Sequence, residues 1–186
     1  MIAFLMYAIY IQRLMQFGLP PPNLRPGMFI SVGPPSFTGL GLMSISSSLP
    51  LLKGYGYFSG NPQGIDVLIT VADFAAIFLW MLGIWFFFVT LIAVSFGVRE
   101  MTFHLIWWAL VFPNIAIALA TAKIGERLQS EGIMWIASIM TVFLVAAWIF
   151  VFGLNIRAVI HGDILMPGKD EDKGTLSFSH LISLFF

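Results

Sequence analysis

The sequence predicts an all-α integral membrane protein built from helical hairpins, and three observations lead there. Of its 186 residues 59% are hydrophobic and only 10% charged, with a mean hydropathy of +0.95. Globular domains carry about 25% charged residues. Four stretches free of Asp, Glu, Lys and Arg, at 26–52, 74–98, 101–122 and 132–156, each exceed the roughly 18 residues that mark a spanning helix. Two of the four are interrupted by proline, in "SVGPPSFTG" and "LVFPNIA".

Taken in order, residues 1–16 form a partial transmembrane helix. Their apolar run ends at Gln12 and covers about 18 Å as helix, against a hydrocarbon core of about 30 Å. A secretory signal would need a basic start and a small-residue cleavage site, so Met1 is expected to mark a truncated chain or gene model. Residues 17–160 form a four-helix transmembrane region, with helices at 29–50, 65–97, 102–123 and 133–160. "KGYGYFSGNPQG" carries the Gly, Pro and Asn of a turn, and its Gly54, Gly56 and Gly60 lack the spacing of a dinucleotide fingerprint. "VREM" allows only a short connection. Residues 161–186 form a tail whose charged start, "GKDEDKG", reads as a solvated segment.

Orientation follows from the cations. Arg13, Arg25, Arg99, Arg157, Lys169 and Lys173 alternate with Lys53, Lys123 and Arg127 across successive connections. The positive-inside rule puts the larger group, and with it the C-terminal tail, in the cytoplasm. Both interrupted helices then run from cytoplasm to outside, as parallel copies of a helix pair, an internal repetition from which transporters are built.

A proline inside a helix removes one backbone bond and clashes with the carbonyl four residues earlier, so Pro113 is expected to free the carbonyl of Ala109 and bend its helix. Pro34 and Pro35, just after Gly33, are expected to break theirs and start it afresh, leaving amides such as those of Phe37 and Thr38 without intrahelical partners. In lipid, freed backbone groups are tolerated only where protein, water or a ligand meets them. The broken helices should face a protein interior or a water-filled path, where positive helix ends could serve an anion. A kink that serves packing alone is the other reading. Phe112, one of 19 phenylalanines, reads from the residues alone as a packing or lipid-facing side chain.

Several function classes are excluded or disfavoured. With no cysteine, disulfides, thiolate catalysis and cysteine metal sites are absent. Zero net charge gives no basic stripe for nucleic acid. His104, His161 and His180 have no metal-ligand spacing, and no nucleophile has a nearby base, so no enzyme, cofactor or metal is expected. Asp73 reads as an acid near the outer interface that binds a proton or pairs with Lys or Arg, and His104 as an interfacial residue. Lys123 either attracts anions or snorkels. Asn114 either offers its amide to a carboxylate or hydrogen-bonds in helix packing. With no charge elsewhere on the proposed pore helices, selection of an anion would rest on backbone dipoles and hydroxyls such as Ser31, Ser36, Thr38 and Thr121.

Three motifs, "RPGMFISVGPPSFTGL" at 25–40, "FLWMLGIWFF" at 78–87 and "FHLIWWALVFPNIAIALATAKIGE" at 103–126, resemble the tellurite-resistance/dicarboxylate transporter family, in particular its fungal malic acid transport members. Plant slow anion channels, the bacterial tellurite-resistance protein and fungal sulfite efflux pumps belong to the same family. The resemblance covers residues 25–160. It implies a ten-helix, five-hairpin pore fold, assembled as a homotrimer, of which this chain would be the C-terminal half. It implies transport of small organic anions, malate, succinate or related C4-dicarboxylates, across a membrane, the plasma membrane by expectation. Phe112 stands where the family has its pore-gating phenylalanine. Pro34, Pro35 and Pro113 then act as helix kinks, and Gly33, Ser36, Phe37, Thr38, Asn114, Thr121 and Lys123 become candidate pore-lining residues. The alternatives are a sulfite efflux pump or anion channel of the same family, and an inactive membrane scaffold or remnant. With two of the family's five pore-lining helices present, the fragment is expected to be inactive alone.

Overall fold

The computed structural model describes residues 2–52, 56 and 62–161. The expected cytoplasmic tail, apart from His161, lies outside the described residues, as do Lys53, Lys169 and Lys173. Among the described residues the regular elements are all helical. Helix α1 spans Ile2–Phe17. A 3-10 stretch, Pro22–Val32, leads straight into α2, Gly33–Ser48, and a 3-10 turn at Leu49–Leu52 ends that rod. The long helix α3 covers Pro62–Ser95. A second 3-10 stretch, Leu105–Leu110, precedes α4, Phe112–Arg127, and α5 follows at Glu131–Ile160. Four rods, Pro22–Leu52, Gln63–Ser95, Leu105–Arg127 and Glu131–Ile160, are long and apolar enough to cross a membrane. The first rod starts at Pro22 rather than near residue 29, because Pro22 occupies a helix's first turn, where a missing N–H leaves nothing unpaired.

At the prolines the winding changes form. Both interruptions are junctions at which a 3-10 stretch hands over to an α-helix that carries its prolines in the first turn. This corrects the expectation of free amides at Phe37 and Thr38. The Gly33 N–H bonds to the Ile30 carbonyl, Pro34 and Pro35 have no N–H to leave unpaired, and from Phe37 onward the α-helical pattern supplies a carbonyl four residues back. At the start of α4 the Val111 N–H bonds to the Trp108 carbonyl at 3.1 Å, and the Ile115 N–H to that of Val111 at 3.2 Å.

Contacts along the rods fix their directions. Helices α2 and α4 run parallel, with Gly33 beside Pro113 at one end and Ser46 beside Arg127 at the other. Helix α3 runs antiparallel to α2: Gly83 faces Ser36, Gly39 faces Ala76, and Asp73 meets Ser46. Helix α5 runs antiparallel to α4, with Met134 on Gly125 and Phe150 near Trp107. Two antiparallel hairpins, α2–α3 and α4–α5, thus pack through their interrupted members. In the spanning windows 44% of each interrupted rod is buried, against 22% of α3 and 11% of α5, so the interrupted rods are the inner pair.

Close approach at the hairpin core depends on small residues, as is usual where helices meet in lipid. A Cβ on Gly83 would stand 2.6 Å from Ser36 Oγ, and one on Gly39 would stand 3.2 Å from the Ala76 carbonyl oxygen. Around them Phe29, Val32, Phe86 and Ile117 form one buried cluster, and Met43, Ala76 and Ile124 a second. Tyr7 of α1 stacks on Phe86 at 4.8 Å and donates its hydroxyl to the Ser31 carbonyl at 3.0 Å.

Charged side chains gather at both ends of the bundle. At one end Arg25 donates to the carbonyls of Pro20 and Ala93, at 3.0 and 3.2 Å, which caps the C-terminal turns of α3. The Thr102 N–H donates to Asn23 Oδ1 at 2.9 Å nearby, drawing the first loop and the connection at Arg99 together. Lys123 and Arg127 lie at the opposite end, on the last turns of α4.

Candidate functional site

The two helix starts stand at the same level. With Gly33 against Pro113, the first turns of α2 and α4 are in register, and each carries a phenylalanine toward the same side. Phe37 and Phe112 face each other with ring centroids 6.1 Å apart and planes inclined at 42°. Both are accessible, 43% and 67% respectively, although they sit beside the most buried part of the bundle.

These rings begin an open face on the inner helix pair, on the side that α3 and α5 leave uncovered. On α2 the face continues through Thr38, Gly41, Ser44, Ile45 and Ser48, and on α4 through Ile115, Leu119 and Lys123. The α2 half bears hydroxyls: Thr38 Oγ1 donates to the Pro34 carbonyl at 2.7 Å, Ser44 Oγ to that of Leu40 at 2.9 Å, and Ser48 Oγ to that of Ser44 at 3.1 Å. Each oxygen keeps lone pairs turned outward, and each hydroxyl can rotate to donate instead. The α4 half is apolar until Lys123, whose ammonium pairs with Glu126 at 2.8 Å within the helix.

The candidate residues divide between this face and the packed side. Phe112, Phe37, Thr38, Lys123 and Pro34 are exposed on it. Gly33, Pro35, Pro113, Ser36, Asn114 and Thr121 are buried. Ser36 Oγ donates to the Val32 carbonyl at 2.7 Å. Thr121 donates to the Ile117 carbonyl at 2.7 Å and accepts the indole N–H of Trp80 at 2.9 Å, which ties α4 to α3. Asn114, 7% exposed, donates Nδ2 to the Leu110 carbonyl at 2.6 Å. That carbonyl lies at the junction between the 3-10 stretch and α4, and the buried Asn114 Oδ1 has no hydrogen-bond partner among the described residues.

Sequence reasoning missed two relationships. Phe37 as the companion ring of Phe112 had a signal, since in both parallel copies a phenylalanine lies within two residues of the proline that starts the helix. Gly83 had none: it sits in an uninterrupted apolar helix, and only packing shows that Ser36 occupies the space its side chain would need. Asp73 does pair with a cation, Arg127, at 2.8 Å. His104 precedes the second 3-10 stretch, with Nε2 2.9 Å from Thr102 Oγ1.

Apolar spanning rods, antiparallel hairpins and an inner pair of parallel proline-started helices define an all-α integral membrane protein. The chain belongs to the SLAC1 family, described as voltage-dependent anion channel, whose pattern it matches over residues 1–156. It is 34% identical to the malic acid transport protein of Schizosaccharomyces pombe over 171 residues, 90% of this chain and 39% of that protein. A second, putative malic acid transport protein of the same organism is 33% identical over 92% of this chain and 40% of its own length. The sulfite efflux pump SSU1 of Trichophyton rubrum is 26% identical over 83% of this chain and 40% of its own. The chain spans about two-fifths of the length of these curated relatives. No solved structure matches it significantly.

Proposed function

We propose that α2 and α4 supply part of the wall of an anion pathway, that their open face is its lining, and that Phe37 and Phe112 together close it. The observation that carries this reading is the meeting of the two rings, at 6.1 Å, on the one face of the inner pair that also bears the hydroxyls of α2. Hydroxyls turned to lipid would gain nothing, whereas in a water-filled passage they can donate to a passing carboxylate. Two aromatic rings across a narrow apolar segment exclude water and so impose a desolvation barrier on an anion. Ser36, Asn114 and Thr121 serve in this reading as the packing that holds these helices in register rather than as lining.

The full-length protein would add the remaining pore helices, with this chain as the C-terminal part of a ten-helix, five-hairpin subunit assembled as a homotrimer in the plasma membrane. Its substrate would be malate or a related C4-dicarboxylate, in keeping with the names of the two relatives above 30% identity. Sulfite is the second reading, favoured by the relatives at 26% identity. Uptake of labelled malate and sulfite by cells expressing the full-length protein separates the two. Malate uptake that saturates and exceeds sulfite movement supports the first reading, and movement of neither anion contradicts both.

A further inference from the structure

The outer ends of α2, α3 and α4 meet at three polar side chains. Ser46 of α2, almost fully buried, donates its hydroxyl to Asp73 Oδ1 at 2.6 Å. Arg127 of α4 donates Nε to Asp73 Oδ2 at 2.8 Å and Nη2 to Ser46 Oγ at 3.4 Å. Asp73 itself belongs to α3, so one carboxylate holds a donor from each interrupted helix. The Lys123–Glu126 pair, by contrast, stays within α4.

The placement matters more than the contact. At the level of the breaks, α2 and α4 touch directly, through Gly33 and Pro113. About 20 Å of helix, at 1.5 Å per residue, separates that level from Ser46 and Arg127. Each α-helix carries proline in its first turn after a 3-10 stretch, and the junction lacks the continuous ladder of bonds that stiffens an uninterrupted helix. A rod pivoting at one end and tethered at the other has its tilt set by the tether. A partly buried carboxylate with an arginine fork is a directional tether, because guanidinium donors lie in fixed directions.

We infer that Ser46, Asp73 and Arg127 form a latch that sets the outer spacing of α2 and α4, and that opening of the proposed passage proceeds through its release. The latch rests on the pore reading for its consequence but not for its geometry. Asp73 is a positioning residue: it faces the buried side of the helix pair and reaches no substrate.

The test uses the full-length protein on a cysteine-free background, with nitroxide labels at Ser48→Cys and Leu128→Cys, which flank the cluster on α2 and just beyond α4. Asp73→Asn and Arg127→Gln should lengthen or broaden the label distance by about 2–5 Å, the scale of helix shifts in switching proteins. The exchange Asp73→Arg with Arg127→Asp should return it toward the parent value. Unchanged distances in both single variants overturn the latch, and so does a shift that the exchange fails to reverse. Should Arg127→Gln not fold, Arg127→Lys and Ser46→Ala keep the question open to measurement, and an unaltered distance in both of those also overturns it. Anion flux is read in parallel. A changed distance with unchanged flux upholds the latch and counts against the pore reading instead.

Discussion

Gly33 lies against Pro113, so near that a Cβ added to the glycine would stand 3.6 Å from the proline Cβ. The contact places two handovers from 3-10 to α-helix at one depth and makes them a shared feature rather than two separate irregularities. It also brings Phe37 and Phe112 to the same side, since each follows or begins its helix within the first turns.

Two glycines at the helix contacts, Gly33 of α2 and Gly83 of α3, should differ in tolerance. At Gly33 the gap of 3.6 Å is an ordinary contact, so Gly33→Ala should change stability by no more than about 0.5 kcal/mol. At Gly83 the new Cβ would stand 2.6 Å from Ser36 Oγ and 3.3 Å from Ile117 Cδ1, and the overpacking should cost about 1–3 kcal/mol. Adding Ser36→Ala removes the nearer atom and should recover part of the loss. Thermal unfolding of the full-length protein in detergent measures all three, and equal sensitivity at the two glycines would contradict the packing described.

Asn114 should behave as a structural residue. Asn114→Ala leaves the Leu110 carbonyl without its amide donor, at a cost of about 1–3 kcal/mol, while the ratio of malate to sulfite transport stays as in the parent. A shifted ratio with unchanged melting temperature would return Asn114 to the list of groups that touch substrate.

The indole of Trp80 ties α3 to α4 through Thr121. Trp80→Phe keeps most of the ring and removes the donor, so it should lower stability by about 0.6–1.7 kcal/mol, the range found for hydrogen bonds between membrane helices. Combined with Thr121→Val the loss should be less than additive, because both changes delete one bond. Full additivity would mean that the two residues act apart.

How much of this was legible beforehand depends on the kind of signal. The spanning rods were plain from hydropathy, because lipid demands long charge-free runs. The family was legible in the motifs around Pro34, Pro35 and Pro113, and its membership is shown by the match over residues 1–156. The positions of the breaks were legible from proline, which announces a missing donor, whereas the 3-10 winding ahead of each α-helix was not expected from the residues. Ser36, Asn114 and Thr121 were read as facing a path because a polar side chain in an apolar helix attracts that reading. Ser36 and Thr121 donate to carbonyls of their own rods at 2.7 Å, and Asn114 donates Nδ2 to the Leu110 carbonyl at 2.6 Å while its buried Oδ1 has no partner among the described residues, details that composition cannot reveal.

The most direct test of the central claim is anion flux through the full-length protein with Phe112 reduced to alanine. If the paired rings are the barrier, Phe112→Ala should raise flux about tenfold, as removal of about 1.4 kcal/mol of barrier would. Phe37→Ala should give a smaller rise, and the double variant less than the product of the two. Flux that stays at the parent level in Phe112→Ala, in protein that still folds and reaches the membrane, would contradict the account.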